Sequence, residues 1–224
     1  MLRDIVQKHA SGCVMIVKKN DTGGVDFIGT GFLCHNKGYI ATTAHFINLT
    51  DKLAIIAPQP VANFNVITLN NVNYWDVIIA QFNTSDDVAL LKISAPPTLS
   101  VPDQLFGDED QIPVGSSVGY LGYPFGQSGL HVLKVSSCVI SAKVISTNKV
   151  KQFQIDSTVH DGGSGGPLID IISGQIIGVI SGRFSPIGNN GGIQIGNYKL
   201  GTDSTISFAV TINYIKQLLK DEGL

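Results

Sequence analysis

The sequence carries little net charge and no long apolar run. Fifteen Lys and Arg residues against seventeen Asp and Glu residues give a net charge of −2, which argues against nucleic acid or an anionic membrane as the main partner. No apolar stretch reaches the roughly 18–20 residues that span a bilayer, and charges interrupt the N-terminal MLRDIVQKHASG where a signal peptide needs an apolar core. We therefore expect no membrane partner and an intracellular, cytoplasmic location.

Cysteine is also scarce. The three cysteines, Cys13, Cys34 and Cys138, are an odd number, and they form no C-x-x-C pair, so neither a disulfide framework nor a zinc site is indicated. We expect buried free thiols, a reducing compartment, and no metal or other cofactor.

Short strands dominate what is present. Twenty-five glycines and many Val-, Ile- and Thr-rich segments bounded by Gly, Pro, Asn or Asp predict an all-β protein. About six such segments precede residue 95, NVITL at 65–69 among them, and about six follow the proline-rich connection APPTLSVPDQLFGDEDQIPVG. The pattern predicts two six-stranded antiparallel β-barrels packed together, over 1–100 and 101–224.

Apolar residues recur at helical spacing only near the two ends of the sequence. Leu2, Ile5 and Val6 predict a short helix over 2–9. The segment TINYIKQLLKDEGL predicts a docking helix over about 211–222, with Thr211 as its N-cap.

The segment HDGGSGGPLID, residues 160–170, surrounds one serine with four glycines. Glycine costs roughly 0.5–1 kcal/mol in regular structure, and a flexible linker would not be followed at once by the apolar PLIDI. Acyl transfer by a serine needs a base, an orienting carboxylate and backbone N–H donors for the oxyanion. Glycines allow a sharp bend that presents the N–H groups of Gly162 and Ser164.

A base and an acid for this serine occur earlier in the chain. His45 lies in TTAHF, after an apolar strand, and Asp87 in SDDVALLKI begins another, with Asp86 as its rival. The order His, Asp, Ser is that of the chymotrypsin arrangement. We therefore name His45, Asp87 and Ser164 as candidate catalytic residues.

Through TTAHF, DVALLKI and GGSGGPL, the chain resembles the trypsin-like serine peptidases. Within them it is most similar to the HtrA (Deg) protease domain, through GTGFLCHNKGYIATTAHFI, VGYLGYPFG and QIDSTVHDGGSGGPLID. The resemblance implies a chymotrypsin-like fold, with His45 as general base, Asp87 as its orienter, Ser164 as nucleophile, and Gly162, Gly163 and Ser164 as the oxyanion hole.

The resemblance also places the substrate-binding residues. Thr158 falls where trypsin-like enzymes carry the acid that selects Lys or Arg, so a basic P1 residue is not expected. Ser181, Gly182 and Arg183 are expected to pair with substrate backbone. Arg183 leaves two alternatives open, an acidic P1 residue or a small apolar pocket.

The expected function is a serine endopeptidase that acts on unfolded or extended polypeptides, and the alternative is a catalytically silent peptide-binding module. The usual PDZ domain is missing, which leaves open a stand-alone peptidase or one domain of something longer, and a homo-oligomer is also left open. Secreted trypsin-like enzymes order the oxyanion loop by pairing a new N-terminal amine with an aspartate. Gly163 occupies that position here, so we expect order from the loop itself, from substrate or from a neighbouring chain.

Overall fold

The computed structural model of the chain describes residues 1–183, 193–195, 198–200 and 205–224. Two closed antiparallel barrels of six strands each account for most of it. The predicted fold is thus confirmed, including the helix that follows the second barrel.

The first barrel has the strand order β1-β2-β3-β6-β5-β4. Its strands are β1 (Cys13–Lys19), β2 (Val25–His35), β3 (Tyr39–Thr42), β4 (Leu53–Ile56), β5 (Trp75–Asn83) and β6 (Val88–Ile93).

The second barrel has the order β10-β11-β14-β9-β8-β7. Its strands are β7 (Ser117–Gly122), β8 (Lys134–Ile145), β9 (Lys151–Ile155), β10 (Pro167–Asp170), β11 (Ile176–Arg183) and β14 (Ser207–Thr211). The strands β12 (Ile193–Ile195) and β13 (Tyr198–Leu200) form a separate two-stranded sheet.

Each barrel has its own apolar interior, and a third cluster joins them. Ile16, Leu91 and their neighbours fill the first barrel, while Phe153, Ile177 and theirs fill the second. The joining cluster draws buried side chains from both barrels and from the two terminal helices. Burying this shared apolar surface is the main force that keeps the cleft between the barrels in one geometry.

The terminal helices pack across the two barrels. Helix α1 (Leu2–His9) precedes the first barrel, but His9 Nε2 lies 2.8 Å from the Gly174 carbonyl in the β10–β11 turn of the second. Helix α2 (Asn213–Asp221) follows the second barrel, and Glu222 beyond it accepts a hydrogen bond from Tyr39 of the first at 2.9 Å. The two ends of the chain thus hold the barrels together reciprocally.

Two local predictions are wrong. NVITL at 65–69 forms a loop, because the backbone of Ile67 accepts from His131 instead of a neighbouring strand. Helix α2 has Ile212 at its N-cap, since Thr211 is still the last residue of β14. Residues 184–205, which the sequence predicts to be a long Gly- and Asn-rich connection, fall largely outside the described residues.

The cysteines are free, as predicted, with Cys13 and Cys34 buried and Cys138 half-buried. Burial raises the pKa of the Cys138 thiol to about 12, so the thiol is not poised for thiolate chemistry. Among the helices that the structure describes, none is long and apolar enough to cross a membrane.

Candidate active site

His45 and Asp87 meet at the rim of the first barrel, facing the second. His45 follows β3 by three residues, and Asp87 immediately precedes β6, the strand that pairs with β3. Asp87 has a φ of 56°, a left-handed conformation that Asp tolerates better than most residues. This turn directs the carboxylate back toward the end of β3.

The Asp87 carboxylate accepts hydrogen bonds from both barrels. Its Oδ1 accepts the His45 backbone N–H at 2.9 Å, and His45 Nδ1 lies 3.0 Å from each carboxylate oxygen. The Ser181 hydroxyl, from the second barrel, donates to Oδ2 at 2.6 Å. An imidazole that donates through Nδ1–H leaves Nε2 as a proton acceptor.

The hydrogen bonds that His45 and Ser181 donate also favour the charged form of Asp87. Burial alone would raise its pKa, but the hydrogen bonds from His45 and Ser181 outweigh burial and hold the pKa of the carboxyl below its ordinary value. Asp86, the rival acid, accepts instead from Asn83 Nδ2 within the β5–β6 turn at 2.7 Å. The structure therefore brings Asp87, and not Asp86, to His45.

Ser164 lies in the loop before β10, where the second barrel meets the first. Its hydroxyl donates to the Ser181 carbonyl at 2.7 Å, and its own carbonyl accepts the Thr30 N–H of β2 at 2.9 Å. Among the described residues, no hydrogen bond joins Ser164 Oγ to His45. Ser181 thus contacts Asp87 through its side chain and Ser164 through its backbone.

Close backbone approach explains the glycines of this loop. A Cβ at Gly165 would overlap the Thr30 carbonyl, and one at Gly162 would lie 2.5 Å from the Tyr123 carbonyl. Both residues also have a φ of +90°, which disfavours any side chain. The cluster is therefore a packed junction between two barrels and not a linker.

The oxyanion candidates form a tight turn. The Gly163 N–H donates to the His160 carbonyl at 2.9 Å, and Gly162 has a φ of +90°, as in a type II turn with glycine at its third position. Gly163 N–H thus closes the turn. Within the part of the chain that the structure describes, the N–H groups of Gly162 and Ser164 have no acceptor, so both are available to an external acceptor atom.

The end of strand β11, which the sequence predicts to pair with substrate, extends beyond the neighbouring strand β10. Strand β10 pairs with β11 only as far as Val179, while Gly182 and Arg183 still pair with β14 on the other side. A Cβ at Gly182 would meet no heavy atom of the described residues within 4 Å. The Thr158 carbonyl lies 3.5 Å from the Tyr120 hydroxyl, which donates to it. The backbone of β11 thus extends past β10 at Ser181 and Gly182, next to Ser164, which donates to the Ser181 carbonyl.

Comparison with known proteins agrees with this architecture. The profile of the family described as "Trypsin-like peptidase domain" matches residues 29–179. The chain belongs to the trypsin-like peptidases. This membership confirms the resemblance found in the sequence.

Its curated relatives include proteins named as DegP-like. The chain is 33% identical over 168 residues to a protein of Brucella suis named "probable periplasmic serine endoprotease DegP-like", over 74% of this chain and 29% of that protein. A Rickettsia conorii protein of the same name is 34% identical over 172 residues, with 74% of this chain and 30% of that protein covered.

A third relative matches more of the chain at lower identity. The magnetosome formation protease MamE of Paramagnetospirillum magneticum is 27% identical over 206 residues, which cover 90% of this chain and 24% of that protein. The chain therefore spans under a third of the length of these relatives. The word periplasmic in two of the names gives no support to the cytoplasmic location expected above.

Sequence reasoning missed two side chains at this site. It assigned Ser181 a backbone role with substrate, whereas the Ser181 hydroxyl also contacts Asp87. It passed over Thr30, which contacts the Ser164 loop from the other barrel. The GTG segment at 29–31 held a signal for the latter, because glycine within a strand marks close backbone approach.

Proposed function

We propose that the chain is a serine endopeptidase with Ser164 as nucleophile, His45 as general base and Asp87 as the group that orients the base. The observation that supports this most is the set of hydrogen bonds that fixes the His45 tautomer, with Nδ1 within 3.0 Å of the Asp87 carboxylate. An acceptor at Nε2 is what a serine hydroxyl needs to become a nucleophile.

The proposed reaction begins with a rotation of the Ser164 side chain. The hydroxyl leaves the Ser181 carbonyl and donates to His45 Nε2, which takes the proton as Oγ attacks the substrate carbonyl carbon. The Gly162 and Ser164 N–H groups then bind the oxyanion. His45 returns the proton to the leaving amine, and water hydrolyses the acyl-enzyme by the same steps.

Extended polypeptide is the proposed substrate class. Beyond Val179, where the pairing of β11 with β10 ends, the backbone of Ser181 and Gly182 is placed to pair with a substrate strand, a geometry that an extended, unfolded segment adopts readily. Thr158 and Val159 carry no carboxylate, so we propose cleavage after small or medium apolar residues. A peptide-library profile dominated by Lys or Arg at P1 would refute this preference, and an acidic preference abolished by Arg183→Ala would support the alternative.

A silent peptide-binding module is the second candidate, because one observation favours it. The Ser164 hydroxyl donates to the Ser181 carbonyl and not to His45, so in this conformation no base among the described residues is placed to take its proton. A module of this kind would use the same edge to bind extended peptides and would release them intact.

A fluorophosphonate probe separates the two functions. It forms a bond to the Oγ of an activated serine, so the wild-type chain should be labelled at Ser164, whereas Ser164→Ala should not be. Ser181→Ala removes the neighbouring hydroxyl and serves as a control for labelling at the wrong residue, because this variant should still be labelled at Ser164. Wild-type protein that resists the probe yet binds an unfolded polypeptide would favour the silent module.

A further inference from the structure

Thr30 is a buried residue of the first barrel whose polar groups contact the serine loop of the second. It lies in β2, between Gly29 and Gly31, and is 0% exposed. Its hydroxyl donates to the Gly162 carbonyl at 2.6 Å and accepts the Tyr123 N–H at 3.0 Å. Its own N–H donates to the Ser164 carbonyl at 2.9 Å.

These contacts fix the orientation of peptide planes. In a trans peptide, the C=O and the following N–H point in opposite directions. Anchoring the Gly162 carbonyl on Thr30 therefore points the Gly163 N–H the other way, toward the His160 carbonyl that it contacts. Anchoring of the Asp161 carbonyl by the Phe125 N–H at 2.7 Å orients the Gly162 N–H in the same manner.

The hydroxyl of Thr30 also joins the two anchors. Tyr123, whose N–H it accepts, lies two residues before Phe125, whose N–H holds Asp161. A single buried oxygen therefore links the start of the β7–β8 connection to the oxyanion turn. Glycine at 162 and 163 gives this turn wide conformational freedom, so external anchors decide which orientation is populated.

We propose that Thr30 is a positioning residue for the oxyanion hole, and that its hydroxyl supplies the order that an ion pair at residue 163 would otherwise give. The inference rests on the proposed function, because the hole matters only if Ser164 acts as a nucleophile. It adds a fourth source of order to the three expected from the sequence: a strand of the neighbouring barrel in the same chain.

Thr30→Val tests the proposal, since valine keeps the branched shape and removes the hydroxyl. We expect kcat to fall about 10- to 100-fold, somewhat less than on deleting an oxyanion donor outright, with little change in KM. The rate of fluorophosphonate labelling should fall by a similar factor, and Thr30→Ser should restore both. The matched control is Thr211→Val, because the Thr211 hydroxyl is buried and has no partner among the described residues. This control should keep the wild-type kcat.

Amide hydrogen exchange gives a readout independent of turnover. Exchange at Tyr123 and Gly163 should become faster in Thr30→Val and stay slow in Thr30→Ser and Thr211→Val. An active wild type whose Thr30→Val variant keeps kcat and slow exchange would overturn the inference, as would equal losses of kcat in Thr30→Val and Thr211→Val. A wild type that resists labelling, with faster exchange only in Thr30→Val, would instead remove the proposed function and support the anchoring role.

Discussion

The two barrels hold their catalytic candidates in different ways. In the first barrel, the N–H groups of Ala44 and His45 both donate to Asp87, so base and acid are tied by their own barrel. In the second, Ser164 lies on a glycine-rich loop whose carbonyls at Gly162 and Ser164 are held by Thr30 of the first. The comparison indicates that the contacts between His45 and Asp87 form within one barrel, whereas the loop of Ser164 depends on docking between the barrels.

The largest predicted effect follows from removing one catalytic candidate, from either barrel. Ser164→Ala and His45→Ala should each lower kcat by roughly 10⁶, and the double variant should lose no more, because such residues act as a unit. Casein hydrolysis measures the loss, and an unchanged thermal unfolding curve provides the control for folding. Half of wild-type turnover in either single variant would contradict the assignment.

Asp87→Asn should have the next largest effect, a loss of roughly 10⁴ in kcat, because the amide favours the wrong His45 tautomer. Asn also tolerates the positive φ of this position, so the variant should fold. Because its pKa is lowered in the folded state, charged Asp87 stabilises the wild type above pH about 3.9. That contribution should disappear as the pH falls through the folded pKa, and the unfolding temperatures of wild type and variant should converge in acid.

Ser181→Ala should cost less, about 10-fold in kcat/KM, because a hydrogen bond to a charged group is worth about 1.5–3 kcal/mol and His45 still holds the carboxylate. The pKa of Asp87 should rise toward its ordinary value. Ser141→Ala is the matched control, since that hydroxyl donates to the Gln154 carbonyl at 3.0 Å, away from the cleft. Equal activity in the two variants would show that Ser181 contributes only its backbone.

The smallest predicted effect is on the pH dependence of stability and comes from His9, which lies outside the cleft. Burial lowers the pKa of His9, so the folded chain keeps His9 neutral while the unfolded chain takes up a proton below pH about 6.5. Stability should therefore fall as the pH drops below that value. His9→Gln should flatten this dependence and cost about 1 kcal/mol at neutral pH through the altered bond to Gly174. Identical pH profiles of unfolding for variant and wild type would refute the effect.

The sequence predicts local features of this site better than contacts across it. Asp87 precedes an apolar strand and His45 follows one, so strand pairing brings them together from pattern alone. The two partners of the Thr30 hydroxyl lie more than 90 residues away in sequence, and the Ser181 hydroxyl reaches an acid 94 residues distant. Such contacts follow from how the barrels dock, which periodicity and turn residues do not encode.

Long-range contacts that local sequence does not encode also explain the two local predictions that are wrong. NVITL is rich in β-branched residues like a strand, yet no edge is open to it in a barrel that is already closed by six other strands. Thr211 has the chemistry of an N-cap, but pairing with Gly178 extends β14 through it. In both cases tertiary pairing overrides local preference.

The crossed terminal helices have a consequence for the order of folding. Helix α1 finds its Gly174 contact, and the first barrel its Glu222 contact, only after the second barrel has been synthesised. The first barrel therefore cannot complete its packing before the second is present. We expect one cooperative calorimetric transition for both halves; two well-separated transitions would show that the halves fold independently.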